Sequence, residues 1–514
     1  MIKTFTFEAN NMDPFNKKSF VTRVPWSKKH KAVTGTGTII DGVRQKTAPC
    51  NFSLSNSFAQ PLTNNELIKM TLDNGHHDLV DEYNNHSLEY TPNGGSWDLR
   101  KEIARLYGSP DTIKAENILV FAGAQVALQH AVTAVLRSSS YDGTKAESSK
   151  KDYHAIAFVP GYQSTVCGAL YSNLCAHVTE IRLKPETGWQ IDPAEVKQVI
   201  EQVKQSGLET RYMVLNEPYN PAGTLMDKVT LAQLLEIADQ NKIWVLCDEV
   251  YRGLEHDSRF DSLVEGGTKL VEDGTKNTSL HFGESKLRLP PIAAAYRRGI
   301  SVSGLSKPWG GCGITIGWVA LTDLDVMENL VDEQYFGTAC PSRASELQAL
   351  MVLKNSWLIM RKNLSIIRRN LGLLEKFLER HREFFDFGPV AEEQEMMEDK
   401  SSKTKQVGLL ESSAVKIQAG AICFLRFKGP LTTEELGAEL AAGPGVSIKP
   451  AYCFTDKVRM VKKEKEIAGE VNYDRDCSQY FRLGFGEEKM PRALDALEVF
   501  VRENSTIWRT SGIE

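Results

Sequence analysis

The stretch 303-SGLSKPWGG-311 places a single lysine, Lys307, between a serine-bearing flank and a glycine-rich one, directly after the apolar run Ile300-Ser301-Val302. A lysine at the end of a buried strand is either a solvated or ion-paired residue or a nucleophile. Its company along the chain decides between the two, and the same company decides the fold. Short apolar runs recur at Ile118–Phe121, Ala155–Val159, Tyr212–Leu215, Ile243–Cys247, Ile300–Ser303 and Ile314–Leu321, alternating with helical stretches. Strands that are apolar on both faces require a mostly parallel sheet covered by helices, so the fold class is α/β. The helix after the first strand, from about Ala124, repeats apolar residues at Leu128, Ala131, Val132, Val135 and Leu136, one helical face.

Thr63-Asn64-Asn65-Glu66 reads as a capping box opening a helix, and a second helix fits Trp97 to Tyr107 behind Ser96. After about residue 340 the style changes. A long helix, roughly Arg361–Arg380, precedes strands at Ala421–Phe427 and Tyr480–Phe485 and a C-terminal helix from Pro491. These predict a smaller α/β domain that also takes in the segment near residues 45–60. Residues 1–45 read as a polar extension. Four polar stretches, Ser138–Asp152, Glu265–Arg288, Ala391–Ser413 and Lys457–Asp476, read as solvated inserts.

At 514 residues the chain exceeds what one hydrophobic core supports, so two or more lobes are expected. The net charge of −5, with both signs interspersed, gives no electrostatic reason to expect nucleic acid or an anionic membrane as partner. Nine scattered cysteines, none in a CxxC pair, argue against a disulfide framework or zinc site and for a reducing compartment. With no signal peptide and no run of roughly 20 apolar residues, the expected location is cytoplasmic.

Four segments at strand ends carry polar residues, and ligands of open parallel sheets bind outside the carboxyl ends of the strands. FAGAQVALQ (121–129) exposes backbone N–H groups at Ala124 and Gln125, which suits a phosphate, although small residues also start helices for packing reasons. In NEPYNPAG (216–223), Asn220 before Pro221 is either a turn residue or an amide aimed at a ligand. In CDEVY (247–251), Asp248 is either an N-cap or a carboxylate backed by low dielectric, attracting a cationic nitrogen, with Tyr251 three residues on. Lys307 is the fourth; near other cations its amine loses proton affinity, the condition for a Schiff base with a carbonyl.

Together and in this order, Gly-start helix, Asn220-Pro221-x-Gly223, Asp248-x-x-Tyr251 and Ser306-Lys307 resemble the fold-type I pyridoxal-phosphate enzymes, specifically the class I/II, aspartate aminotransferase-like aminotransferases. The resemblance spans about residues 50 to 505. It implies pyridoxal 5′-phosphate as cofactor. It implies that Lys307 holds it and moves the substrate proton, that Asp248 keeps the pyridine nitrogen protonated, and that Asn220 and Tyr251 bond the phenolic oxygen. Tyr162, in PGYQS (160–164), would stack on the ring. Backbone at Ala124 and Gln125, helped by Ser303 or Ser306, would bind the phosphate. Arg482, in YFRLGFG (480–486), would grip the substrate carboxylate, with Asn220 and Asn56 also facing substrate. Tyr90 would reach the phosphate of a second subunit, which makes the protein a homodimer. The implied division is an N-terminal extension (1–45), a segment on the small domain and dimer interface (46–95), a large cofactor domain (96–340) and a small domain (341–514).

The match departs at Gly304 and Thr315, where the family commonly has a phosphate-binding serine and arginine, and at Ala451, often a glycine. The activity implied is transfer of an amino group from an L-α-amino acid to a 2-oxo acid. Two alternatives stand beside it. NFSLSNSFAQPL (51–62) and PGYQS also look like the subgroup of capreomycidine and enduracididine synthases, which perform elimination and cyclisation on hydroxylated arginine; the missing arginine would fit a catalytically silent protein.

Overall fold

The computed structural model describes residues 39–40, 43–44, 52–108, 112–137, 153–165, 175–256, 287–338, 340–388, 417–454 and 475–511. Most of the N-terminal extension, and all four polar inserts apart from a few flanking residues, lie outside the described residues.

Seven strands form the large sheet: β1 (Ile118–Phe121), β2 (Tyr153–Val159), β3 (Cys175–Arg182), β4 (Glu209–Asn216), β5 (Trp244–Asp248), β6 (Gly299–Gly304) and β7 (Gly317–Ala320). Their order is β1-β7-β6-β5-β4-β2-β3. Strands β2 to β6 pair in parallel, and β7 runs antiparallel between β1 and β6. The side-chain period of two explains the apolar runs. In β5, Val245 and Cys247 face the helices Pro193–Gln205 and Lys228–Gln240, while Trp244 and Leu246 face Ala124–Arg137 and Leu324–Gly337. Both faces are covered, so no position of the strand tolerates a polar side chain until its end.

Two sequence readings need correction. The run Ile314–Leu321 is not all strand: Cys312–Ile314 is a 3₁₀ turn and Thr315 takes φ 58°, so β7 starts only at Gly317. A Cβ at Gly317 would come within 2.1 Å of the Ala124 nitrogen, which shows how tightly the start of the helix Ala124–Arg137 sits on the sheet. The helix at Trp97 ends at Arg105, and the Ser96 hydroxyl makes no cap bond. Instead the Ser96 amide donates to Glu346 Oε1 at 3.0 Å. Strand β3 escaped the sequence reading because CAHVTEIR interleaves polar residues, as an edge strand can.

The smaller sheet is antiparallel, with β8 (Phe385–Asp386), β9 (Ile422–Phe427), β10 (Lys449–Pro450) and β11 (Tyr480–Gly484) in the order β8-β9-β11-β10. It packs on the long helix Ser356–Arg380 and the C-terminal helix Met490–Ser511 through Leu364, Ile367, Phe377, Phe427, Leu483 and Leu497. Phe52–Ser53 pairs in parallel with Val446–Ser447, tying the N-terminal segment to this lobe. Thr63 caps the helix Asn64–Asp73 with a full capping box to Glu66. Among the described residues no helix is long and apolar enough to cross a membrane.

Candidate active site

The carboxyl ends of β4, β5 and β6 open toward β11 of the smaller sheet. Strand β5 ends in Asp248, whose carboxylate is buried and accepts from the Val250 amide at 3.3 Å. Burial raises its pKa to about 6, against the pull of Val250 and Lys307 toward the ionised form. On β4, Asn216 Nδ2 donates to the Asp248 carbonyl at 2.8 Å, and Asn216 Oδ1 accepts the Asn220 amide at 2.7 Å. One asparagine therefore locks both the end of β5 and the turn that carries Asn220.

After β6 the chain turns through Lys307. Its Nζ donates to Ser57 Oγ at 3.0 Å and lies 6.0 Å from the ring centres of Phe58 and Tyr251. Burial lowers the pKa of this amine; Arg482 adds to the effect, while Tyr162, Cys312 and Asp248 oppose it. Tyr251 is buried beside Ser57, and burial pushes its phenol up to about 12, against the pull of Arg482 and Ser57.

Arg482 enters from the middle of β11 and is 2% exposed. Its Nη1 donates to Asn220 Oδ1 at 3.0 Å and its Nη2 to the Ser55 carbonyl at 2.6 Å. The guanidinium lies over the Phe454 ring at 5.2 Å, and its buried Nε has no partner among the described residues. The Arg482–Asn220 bond thus ties β11 of the smaller sheet to the turn after β4 of the large one.

At the far end, Gly123 takes φ 102° and leads into the helix at Ala124. Gln125 Oε1 accepts from Tyr162 Oη at 3.0 Å and from Ser164 Oγ at 2.7 Å. A Cβ at Gly304 would lie 3.0 Å from the Ile316 carbonyl and 3.3 Å from the Ala124 Cβ, so the helix start leaves little room for a serine at 304. Ser303 donates to the Glu249 carbonyl at 3.3 Å and is directed into the sheet rather than the helix start. Ser306 is half-buried beside Lys307, and Thr315 is exposed with its hydroxyl on the Gly313 carbonyl. Asn56 donates to Glu487 Oε1 at 2.7 Å. Tyr90 is 94% exposed next to Leu88 at 95%, so neither side chain packs within its own chain.

Sequence reasoning missed Ser57, Ser164, Phe454 and Lys449. Lys449 is buried, faces Arg482 in the β10–β11 register and lies 5.6 Å from the Phe454 ring centre. The signal available was a lysine closing the apolar run Val446 to Ile448.

Residues 61–397 match the model of the aminotransferase class I and II family. The chain belongs to this family. Mouse tyrosine aminotransferase is 23% identical over 309 residues, 58% of this chain and 56% of that protein. The arginine–pyruvate transaminase of Pseudomonas aeruginosa is 29% identical over 235 residues, 45% and 48% of the two chains. The match therefore spans about half the length of these relatives. Among solved structures, a PLP-dependent aminotransferase from Streptococcus suis superposes with TM-score 0.64 at 22% identity, covering 88% of this chain and 94% of that one. The PLP-dependent cyclase OrfR gives 0.62 at 17% identity, with 89% and 94% covered. At these identities the two structures establish a shared fold, the aspartate aminotransferase-like fold type I.

Membership in the class I and II family implies pyridoxal 5′-phosphate as cofactor, and the residues present fit it. Among the described residues a buried nitrogen of Arg482 has no partner, a buried carboxylate whose pKa burial raises to about 6 ends β5, and glycines clear the helix start.

Proposed function

We propose that this member of the class I and II family is an aminotransferase that moves an amino group from an L-α-amino acid to a 2-oxo acid, with Lys307 as its catalytic amine. The convergence of Lys307, Asp248, Tyr251 and the Asn220–Arg482 pair on one pocket supports this reading above any single residue. Bound pyridoxal 5′-phosphate would supply a carbonyl to receive the amino group and a ring to take up the Cα electrons. Asp248 would hold the proton on the ring nitrogen; a buried carboxylate that is already reluctant to ionise is stabilised by a cationic partner. Tyr251 and Asn220 would bond the ring oxygen, and Tyr162, positioned by Gln125, would stack on the ring. The Ala124–Gln125 amides would receive the phosphate, with Ser306 near it.

Arg482 would take the substrate carboxylate on its fork and so aim the Cα–H bond at Lys307. Lys307 would then lift the proton from Cα and return it, a role that suits an amine whose proton affinity burial has lowered. Tyr90, exposed with Leu88, would be covered by a second copy of the chain in a homodimer. The chain carries all of Lys307, Asp248, Asn220, Tyr251 and Arg482, which supports this reading over a silent protein.

The test is a panel of amino acids offered to the purified, cofactor-loaded protein with a 2-oxo acid acceptor. Stoichiometric appearance of the donor's 2-oxo acid and the acceptor's amino acid is expected. Loss of water or ring closure in the substrate without amino transfer would assign the elimination and cyclisation chemistry instead.

A further inference from the structure

On the reading above, Lys307 becomes an ammonium once it has lifted the substrate proton. Burial lowers the proton affinity of this amine, so the ammonium is the form the pocket must stabilise. Tyr162, Cys312, Asp248 and Tyr251 are the titratable groups around it, and Arg482 and Lys449 bring like charge. Among the described residues the Lys307 amine makes one hydrogen bond, to Ser57 Oγ at 3.0 Å. The rings of Phe58 and Tyr251, with centres 6.0 Å away, are the other surfaces that favour a cation there.

The buried Ser57 sits on backbone that is fixed from two sides. Toward the smaller sheet, the Gly484 amide donates to the Leu54 carbonyl at 2.7 Å, and Arg482 Nη2 donates to the Ser55 carbonyl at 2.6 Å. A Cβ at Gly484 would lie 1.7 Å from the Asn56 carbonyl oxygen, so only glycine lets the segment lie this close. Toward the lysine, the Ala59 amide donates to the Lys307 carbonyl at 3.0 Å, and a Cβ at Gly310 would lie 2.1 Å from the Gln60 carbonyl oxygen. The segment and the lysine are therefore joined twice, once through backbone and once through Oγ and Nζ. That double attachment keeps the hydroxyl within reach of the amine.

We propose that Ser57 is a positioning residue for the proton step, its hydroxyl oxygen holding the Lys307 amine in place and stabilising the ammonium formed when the Cα proton arrives. This rests on the aminotransferase reading of the same site. The Cα–H bond breaks, an N–H bond forms at Nζ, and the electron pair stays behind with the substrate; Ser57 exchanges no proton. Because Ser57 acts through the amine, its effect falls on kcat and is alike for every amino donor.

The experiment reads the amine both directly and through turnover. Full-length protein loaded with pyridoxamine 5′-phosphate, which has no carbonyl to engage Lys307, is labelled with acetic anhydride over a range of pH, and acetylation of the Lys307 peptide is followed by mass spectrometry. Removing the oxygen that accepts from the ammonium lowers the amine's proton affinity. Ser57→Ala should therefore acetylate about tenfold faster than wild type below the titration midpoint, and equally fast well above it, where access alone decides. Its kcat should fall about tenfold or more with KM within about threefold, and deuterium at the donor Cα should slow it more than it slows wild type. Ser57→Thr should restore both readouts, and Ser57→Cys, a weak acceptor, takes the place of the Ala variant if that does not fold. A kcat within about threefold of wild type, or an unmoved Lys307 titration, overturns the proposal. Wild type that stays colourless with pyridoxal 5′-phosphate overturns the aminotransferase reading and this one with it; yellow protein whose labelling Ser57→Ala leaves unchanged overturns this one alone.

Discussion

The two sheets contribute to the pocket in different ways. The large sheet supplies Asp248, Asn220 and Lys307 from strand ends and the turns just beyond them, where parallel strands release their chain into solvent or ligand. The smaller sheet supplies Arg482 and Lys449 from within strands, opposed across one register and buried. Residues at strand ends can be aimed at reacting atoms without disturbing the ladder. Residues within strands are fixed by the pairing on either side and act as rigid holders. On the proposed reading, the large sheet would carry the chemistry and the smaller one would hold the substrate.

The largest effects should fall on the large-sheet side and in kcat. Asp248→Asn removes the charge that would hold the ring proton, and kcat should fall about 10²-fold or more with a smaller change in KM. The same change should stabilise the cofactor-free protein. Because burial raises the Asp248 pKa to about 6, the folded state binds more protons than the unfolded state between about pH 4 and 6. The wild-type carboxyl then favours folding below this window and loses that favour as pH rises through it. Above pH 6 the Asn variant should gain stability relative to wild type, on the order of 1–3 kcal/mol, with the gap closing toward pH 4. Thermal unfolding across pH 4–8 reads this directly, and a gap that widens at low pH would break the assignment of Asp248 as a strained, buried acid.

Arg482→Ala should show the opposite signature. It removes the carboxylate fork and leaves the Asn220 oxygen and the Ser55 carbonyl without their donor, so kcat/KM should fall about 10²-fold, mostly through KM. Stability should fall as well, by about 2–4 kcal/mol, since the residue joins the sheets. An effect confined to kcat would erase the distinction between the sheets. A smaller effect is expected from Thr315→Arg, which places a cation where the exposed threonine now caps its own turn; the affinity for pyridoxal 5′-phosphate should improve about tenfold with kcat nearly unchanged. Equilibrium dialysis against the cofactor measures it, and no gain would mean that the phosphate lies out of reach of position 315.

How much of this the sequence carried follows the same division. On the large sheet, apolar runs demand burial on both faces, so the first polar residue after each run, Asp248 or Asn216, announces where the strand surfaces. Asp-x-x-Tyr and Ser-Lys added the identity of the chemistry. The stop and turn at Thr315 were not legible, because Ile314-Thr315-Ile316 is apolar enough to pass for strand while the close approach of Ala124 to Gly317 is a tertiary constraint. On the small sheet, Arg482 was legible through its motif alone. Lys449 was not, since its strand has two residues and its meaning comes from a partner 33 positions away. Ser57 and Ser164 act through hydrogen bonds to Lys307 and Gln125 that no local pattern encodes.

The central claim is that Lys307, rather than any other amine in the pocket, carries the cofactor. Reducing the cofactor-loaded protein with borohydride and mapping peptides by mass spectrometry tests it most directly. The account predicts a single pyridoxyl adduct on the peptide bearing Lys307, absent in Lys307→Ala. An adduct on Lys449, or none, would contradict it.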